Sequence, residues 1–559
     1  MNRKLTNAAV ANGDNRWRRI IAGNKTFNPH EELMLARCSH FKVKLFRFCC
    51  HAGLDAEEPC MTNHHSAARC LLLGVCALLL FTLLGCQGLV NAPAKGTATG
   101  SLSTSVNHII FMAQENRSFD HYFGAMRQYW ADDGYTDQPF DGLPQFPTNS
   151  AAGAAPANPG CNAAFPFPGN DCTMIATGST VPSFHLMTQC VENPSPSWNE
   201  SHVDFNLSNP ASGSATLDGF VYTAAHDART IQPPYHDVTG QRAMGYYDGS
   251  DLNYYYFMAT NFATSDRWFS PVMSRTPPNR QYLIAGTSQG HAYPLGPGST
   301  LTAPPIFQRL QEAGITWKVY VHAGANGCTT ASCLYQQSYI QDFAYGQTIL
   351  SQFPQNIVPD SQFITDAKNG TLPQVAQIEP PSEVGLDEHP SDYDANPPCC
   401  SVQAGANYVS TLINALMTGP SWKDSIFLLT FDEFGGFYDH VAPQPAVNPD
   451  GMRPADLLPG DVCTSVTGPT CDFVYTGYRV PLIVVSPFTK KHYVSHTTAD
   501  TTAILRLIET RFSLPALTKR DAAQMDMTEF FDFMNPSWST PPSPPAQNTA
   551  GACYLDRLP

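Results

Sequence analysis

Positive charge is scarce through most of this chain. Of its 559 residues only 32 are Lys or Arg, and from Cys86 onward 21 basic residues face 41 acidic ones. A body so poor in cations excludes non-specific nucleic-acid binding, which depends on neutralising phosphates with Lys and Arg. It suits divalent cations, whose ligands are largely carboxylates. Long apolar runs are also few, and the one that stands out, Leu71 to Leu84 (LLLGVCALLLFTLL), has fourteen residues. That is short for a membrane span, which needs about twenty, but right for the apolar region of a signal peptide. Internal repeats are lacking. Proline and glycine are plentiful instead, at 47 and 39 residues, and 43% of the chain is hydrophobic. Such a composition fits an α/β enzyme with long structured loops better than a helical bundle.

Around the apolar run the order is telling. Arg69 supplies a positive flank, Met61 lies ten residues ahead of Leu71, and Leu83-Leu84-Gly85-Cys86 follows at the far end. The last four residues resemble the lipobox of bacterial lipoproteins, in which the cysteine is lipidated and becomes the first residue of the mature chain. Ordinary cleavage near Asn91-Ala92-Pro93 is the alternative. The expected organisation is an upstream read-through over 1–60 without a domain, with Met61 as the start, and a signal peptide with lipobox over 61–86. A linker follows over 87–104, then one catalytic domain over 105–535 and a Pro/Ser-rich tail over 536–559. The product is expected to be exported, and either lipid-anchored to the bacterial envelope through Cys86 or secreted. Ten cysteines beyond Cys86 agree with an oxidising compartment. The close pairs Cys161/Cys172, Cys328/Cys333 and Cys463/Cys471 would each staple a loop, although spacing alone does not fix connectivity.

Short apolar runs at Val106–Met112, Ile315–Val321, Ile426–Phe431 and Val480–Ser486 predict buried parallel strands, and helical patterns lie at Tyr408–Met417 and Thr501–Phe512. The fold class is therefore α/β, with a mostly parallel, doubly wound sheet covered by helices on both faces. In such sheets the chemistry lies just beyond the carboxyl ends of the strands. Two strand ends carry oxygens there: Gln114-Glu115-Asn116-Arg117-Ser118-Phe119-Asp120-His121-Tyr122-Phe123-Gly124 after the first run, and Asp432-Glu433-Phe434-Gly435-Gly436-Phe437-Tyr438-Asp439-His440-Val441 after the third. Glu115, Asn116, Asp432 and Glu433 can converge on one hard cation, since carboxylate and amide oxygens suit such metals.

These two segments, with Ser265-Asp266-Arg267-Trp268-Phe269-Ser270 and Ser274-Arg275-Thr276-Pro277-Pro278-Asn279-Arg280-Gln281-Tyr282, resemble the signature regions of a phosphoesterase family. That family contains bacterial phospholipases C and a related acid phosphatase, within the alkaline-phosphatase-like superfamily. The resemblance runs in order from about residue 105 to 515. It implies an alkaline-phosphatase-like fold, Thr276 as nucleophile, and Glu115, Asn116, Asp432 and Glu433 as ligands of a divalent metal (Ca, Mg, Mn or Zn). It implies a covalent phosphothreonine intermediate, later hydrolysed by water, and a phosphate-ester substrate such as a phospholipid. A threonine hydroxyl is a poor nucleophile until a metal lowers its pKa. Thr276 before Pro277-Pro278 also suits a first helical turn, where free backbone N–H groups favour phosphate. Ser197-Trp198-Asn199-Glu200-Ser201-His202 and Asp387-Glu388-His389-Pro390 match family positions near the phosphate, so His202 and His389 are expected to touch phosphate oxygens or to protonate the leaving group. His440 is expected to orient the Asp432/Glu433 loop. The sequence departs from the phospholipase C pattern at Pro196 and Phe269, where histidine often stands.

Three other readings compete. Acid phosphatase activity on phosphomonoesters would use the same centre. Gly286-Thr287-Ser288-Gln289-Gly290 fits the G-x-S-x-G elbow of a serine carboxylesterase with Ser288 as nucleophile, which requires a strand before it and a helix after it. A non-catalytic surface-binding lipoprotein would lack one of the core positions, and none is lacking.

Overall fold

The computed structural model describes residues 100–146, 152–161, 179–231, 235–324, 327–392, 400–465 and 468–558. The signal-peptide segment, Cys86, Met61, Cys172 and Cys399 lie outside them. Among the described residues no helix is long and apolar enough to cross a membrane.

Eight strands build the central sheet: β1 (His108–Gln114), β2 (Ala263–Ser265), β3 (Trp317–Val321), β4 (Ile357–Pro359), β5 (Val375–Ile378), β6 (Ser425–Phe431), β7 (Leu482–Val485) and β8 (Tyr493–Ser495). Their order across the sheet is β8-β2-β7-β6-β1-β5-β3-β4. The four predicted apolar runs are all strands, and three of them, β1, β3 and β6, run in one direction. The fourth, β7, is antiparallel to both β6 and β2. An apolar run reports burial on both faces but carries no information about direction. All seven residues of β6 are buried, as are six of seven in β1, so the middle of the sheet is covered on both faces.

The helices that matter for the site are α1 (Phe119–Phe123), α2 (Trp198–Phe205), α3 (Thr276–Ala285), α4 (Val402–Thr418) and α5 (Ala503–Phe512). The two predicted helical patterns correspond to α4 and α5. In α4, Val402, Ala406, Val409, Leu412, Ile413 and Leu416 recur at helical spacing and are all buried. The Ser401 side chain accepts from the Ala404 N–H at its start. Helix α3 ends where Gly286 turns to φ 71°, a left-handed conformation that glycine adopts without strain.

The register of β1 against β6 is what creates a site. Paired in parallel from His108/Ser425 to Gln114/Phe431, the two strands stop at the same level. Glu115 and Asp432 therefore begin their loops side by side.

Residues 536–558 are bound to the body of the chain. The Gln189 N–H donates to the Ala552 carbonyl at 2.7 Å, Thr188 Oγ1 to the Tyr554 carbonyl at 2.6 Å, and Gln547 Nε2 to the Asp251 carbonyl at 2.7 Å. A disulfide joins Cys190 to Cys553 across 363 residues. The expected pairs Cys328–Cys333 and Cys463–Cys471 are present, and Cys161 and Cys400 are also disulfide-bonded.

Candidate active site

Beyond the ends of β1 and β6, helix α3 brings Thr276 down onto the loop after β1. The Thr276 hydroxyl lies 3.0 Å from Glu115 Oε2 and 3.1 Å from Asn116 Oδ1. Asn116 adopts φ 60°, a left-handed conformation that asparagine tolerates better than most residues. Its backbone N–H donates to Asp432 Oδ1 at 3.0 Å. Its side-chain nitrogen lies 3.1 Å from His389 Nε2, while His389 Nδ1 is 2.5 Å from the Pro390 carbonyl. Nδ1 must donate to that carbonyl, so Nε2 carries the lone pair and accepts from the Asn116 amide. The amide oxygen is thereby turned towards Thr276.

Arg280 lies one helical turn after Thr276 on the same face of α3. Its guanidinium is buried and donates to Glu115 Oε1 at 2.7 Å, with Asp432 Oδ2 at 3.5 Å. Sequence reasoning gave it no role, although its i+4 spacing from Thr276 was a usable signal. Burial and then the neighbouring Glu115 charge push the Asp432 carboxyl up to about 7, against the opposing pull of Arg280. Burial and then Asp432 push Glu433 well above the usual carboxylate range.

Glu115, Asn116, Thr276 and His389 line an open cleft of about 450 Å³, together with Arg275, Asp387 and Asp392. Asp432 and Glu433 lie behind them, both buried. Asp432 Oδ2 and Glu433 Oε1 are buried without a hydrogen-bond partner. A divalent cation fits this donor set: hard oxygens gathered around Thr276, carboxylates crowded in low dielectric, Glu433 Oε1 buried without a partner, and Asp432 Oδ2 met only by the 3.5 Å contact with Arg280. Two further groups among the described residues are spaced to hold a cation, Asp120/Asp439/His440 and His185/Asp248/Asp251. The first is already compensated by Arg479, which is buried, contacts Asp439 at 2.9 Å and lies 3.1 Å from Asp120.

His440 joins the loop after β6 to α1 through its backbone N–H and ring, both bonded to Asp120 Oδ2.

Two expectations need correction, and one alternative reading falls. His202 is not at the cleft. It is fully buried in α2, its ring nitrogens face the Trp198 and Thr470 carbonyls at 2.6 and 3.2 Å, and it packs on the Trp198 ring. Of its two ring contacts, the one to Trp198 lies within α2 and the one to Thr470 links α2 to a separate segment. Ser288 follows a helix, because Gln281–Ala285 belongs to α3, and its hydroxyl donates to the His291 carbonyl at 2.7 Å, so the carboxylesterase elbow is not formed. The supply of free N–H groups at the start of α3 is also smaller than expected, since Pro277 and Pro278 occupy the first turn and carry none.

A family model for the phosphoesterase family matches residues 106–515. The chain belongs to the phosphoesterase family. By that membership it is a hydrolase of phosphoric ester bonds. This phosphoesterase is 29% identical over 493 residues to phospholipase C A of Mycobacterium tuberculosis, covering 81% of this chain and 82% of that protein. It is 28% identical over 533 residues to the non-hemolytic phospholipase C of Burkholderia pseudomallei, covering 87% of this chain and 66% of that one. Among solved structures, a protein in the alkaline phosphatase superfamily from Vibrio parahaemolyticus matches 48% of this chain and 63% of its own, at 12% identity and a TM-score of 0.29.

Proposed function

We propose that this phosphoesterase performs phospholipase C-type cleavage, releasing phospholipid head groups through a covalent phosphothreonine at Thr276. One observation carries the reading: the Thr276 hydroxyl faces the cleft while hydrogen-bonded to both Glu115 and Asn116. The kinship with phospholipases C supports the substrate class.

In this reading Thr276 Oγ1 attacks phosphorus, forming a new P–O bond as the P–O bond to the diacylglycerol oxygen breaks. Glu115 Oε2 stands ready to take the hydroxyl proton, and Arg280 on Oε1 keeps that carboxylate oriented. His389 reaches the leaving oxygen once Nε2 carries a proton, and returns to its contact with Asn116 when the proton has gone. Water then attacks the phosphothreonine, giving one proton to His389 Nε2 as the P–O bond to Thr276 breaks, while Glu115 returns its proton to the Thr276 oxygen; this frees the head-group phosphate and restores the hydroxyl. A divalent cation held by Glu115, Asn116, Asp432 and Glu433 would supply positive charge that lowers the Thr276 hydroxyl pKa and offsets charge on the phosphoryl oxygens. We also place the protein outside the cytoplasm, lipid-anchored through Cys86 or secreted, a reading supported by the disulfides of the body.

The test is hydrolysis of p-nitrophenylphosphorylcholine, p-nitrophenyl phosphate and p-nitrophenyl butyrate by the full chain and by Thr276→Ala, with and without chelator. Chelator-sensitive turnover of a phosphate substrate that vanishes in the variant is the expected result. Turnover of the butyrate alone, indifferent to both treatments, would sink the reading.

A further inference from the structure

The start of α3 poses an electrostatic problem. A phosphate carried on Thr276 sits at a helix N-terminus, where backbone N–H groups ordinarily receive its oxygens. Here two of the first-turn positions are Pro277 and Pro278, which have no N–H to offer. The three carboxylates lining the cleft are each engaged. Glu115 is bonded to Arg280 at 2.7 Å, Asp387 Oδ1 accepts from the His389 N–H at 3.1 Å, and Asp392 Oδ1 accepts from Asn193 Nδ2 at 2.8 Å. Arg280 itself is buried against Glu115 and Asp432. Beside the divalent cation proposed above, a second positive group in the cleft would therefore meet phosphate oxygens that the helix start leaves without N–H donors.

Arg275 supplies one. It directly precedes Thr276, is exposed, and is the only lysine or arginine lining the cleft among the described residues. Its backbone carbonyl accepts from Asn279 Nδ2 at 3.2 Å, and among the described residues its guanidinium forms no ion pair. Burial raises the Glu200 and Glu433 carboxyls, and the Arg275 charge pulls both down without pairing with either. In a body with about twice as many acids as bases, an arginine that forms no ion pair beside a nucleophile is a seat for an anion. Guanidinium forks match phosphate oxygens two at a time.

We infer that Arg275 is a specificity-determining residue of this site: its guanidinium takes the non-bridging oxygens of the substrate phosphate and discriminates by phosphate charge. The inference rests on the phosphoesterase reading above. A phosphomonoester presents two negative charges on three terminal oxygens, whereas a diester presents one charge on two. The arginine contributes more to binding the first, and it takes over the work of the missing backbone donors.

The test compares the full chain with Arg275→Gln and Arg275→Lys on p-nitrophenyl phosphate and p-nitrophenylphosphorylcholine, alongside calorimetric binding of inorganic phosphate. Arg275→Gln is expected to lower kcat/KM about 100-fold on the monoester and less than about 5-fold on the diester, as loss of a charge-assisted bidentate contact should. Arg275→Lys, which keeps the charge but not the fork, should fall between. Phosphate affinity should drop about 30-fold in the glutamine variant. Equal losses on both esters, or unchanged phosphate affinity, would overturn the role of Arg275. If the parent chain hydrolyses neither ester, the phosphoesterase reading fails, and phosphate binding by the two proteins still decides whether Arg275 is an anion site. Because the side chain is exposed and forms no ion pair, the variants are expected to fold as the parent does.

Discussion

The Thr276 hydroxyl lies 3.0 Å from Glu115 Oε2, although 161 residues separate the two in sequence. One end of that contact is fixed by β1, which delivers Glu115 beside Asp432. The other end is fixed by α3, whose first residue is Thr276 and whose fifth, Arg280, bonds to the opposite oxygen of the same carboxylate. Strand register and helical periodicity thus converge on one carboxyl group. Thr276→Ala should lower kcat by at least about 10³-fold, while Thr276→Ser should keep measurable turnover because it retains an attacking hydroxyl. Steady-state kinetics on the preferred phosphate ester, with circular dichroism to confirm folding, checks this.

Arg280→Met should be costly for the fold as well as for activity. It leaves Glu115 and Asp432 buried without their cation, and breaking a buried pair in this way costs about 3–5 kcal/mol. Urea denaturation should show the loss, and a second change, Asp432→Asn, should recover part of it by removing one of the stranded charges.

Divalent metal should stabilise the chain, because Glu433 Oε1 is buried without a partner and Asp432 Oδ2 makes no hydrogen bond, only the 3.5 Å ion pair with Arg280. At a metal concentration of 100 times Kd the gain is about 2.7 kcal/mol. Thermal unfolding of chelated protein with each of Ca, Mg, Mn and Zn added back should reveal it, and the gain should disappear in Glu433→Gln.

Much of this arrangement was readable from sequence, for identifiable reasons. Apolar runs such as Ile426–Phe431 announce buried strands, and oxygen-bearing residues directly after them mark the site in an α/β sheet. Periodicity does not encode direction, so the reversal of β7 was hidden. His202 was misplaced because its chain neighbours resemble a family segment, whereas the two carbonyls that engage its ring come from Trp198 and from Thr470, 268 residues away. The pairing of Cys190 with Cys553 is equally non-local. By contrast, Arg280 and the two prolines at the start of α3 were legible as local spacing, and both bear directly on how phosphate is held.

The Cys190–Cys553 bridge fastens the tail, so Cys553→Ser should cost about 2–4 kcal/mol, a typical value for a disulfide closing a long loop. Thermal unfolding should show the difference between parent and variant under oxidising conditions and lose it in reductant.

His440 gives the fold a pH dependence. Burial alone would lower its pKa, but the Asp120 and Asp141 carboxylates outweigh that effect and raise it to about 10. A histidine held above its unfolded value of about 6.5 contributes stability in full below that pH and loses it as pH rises through 10. Midpoints of unfolding should therefore decline between pH 7 and 10, by an amount on the order of 3 kcal/mol. His440→Asn should flatten that slope while lowering stability near neutrality.

The central claim, a phosphoryl group carried on Thr276, is tested most directly by acid-quenching the enzyme during turnover and mapping the modified peptide by mass spectrometry. The account predicts a phosphoryl adduct on Thr276 that accumulates with substrate and is absent from Thr276→Ala. An adduct on another residue, or undiminished turnover by Thr276→Ala, would contradict it.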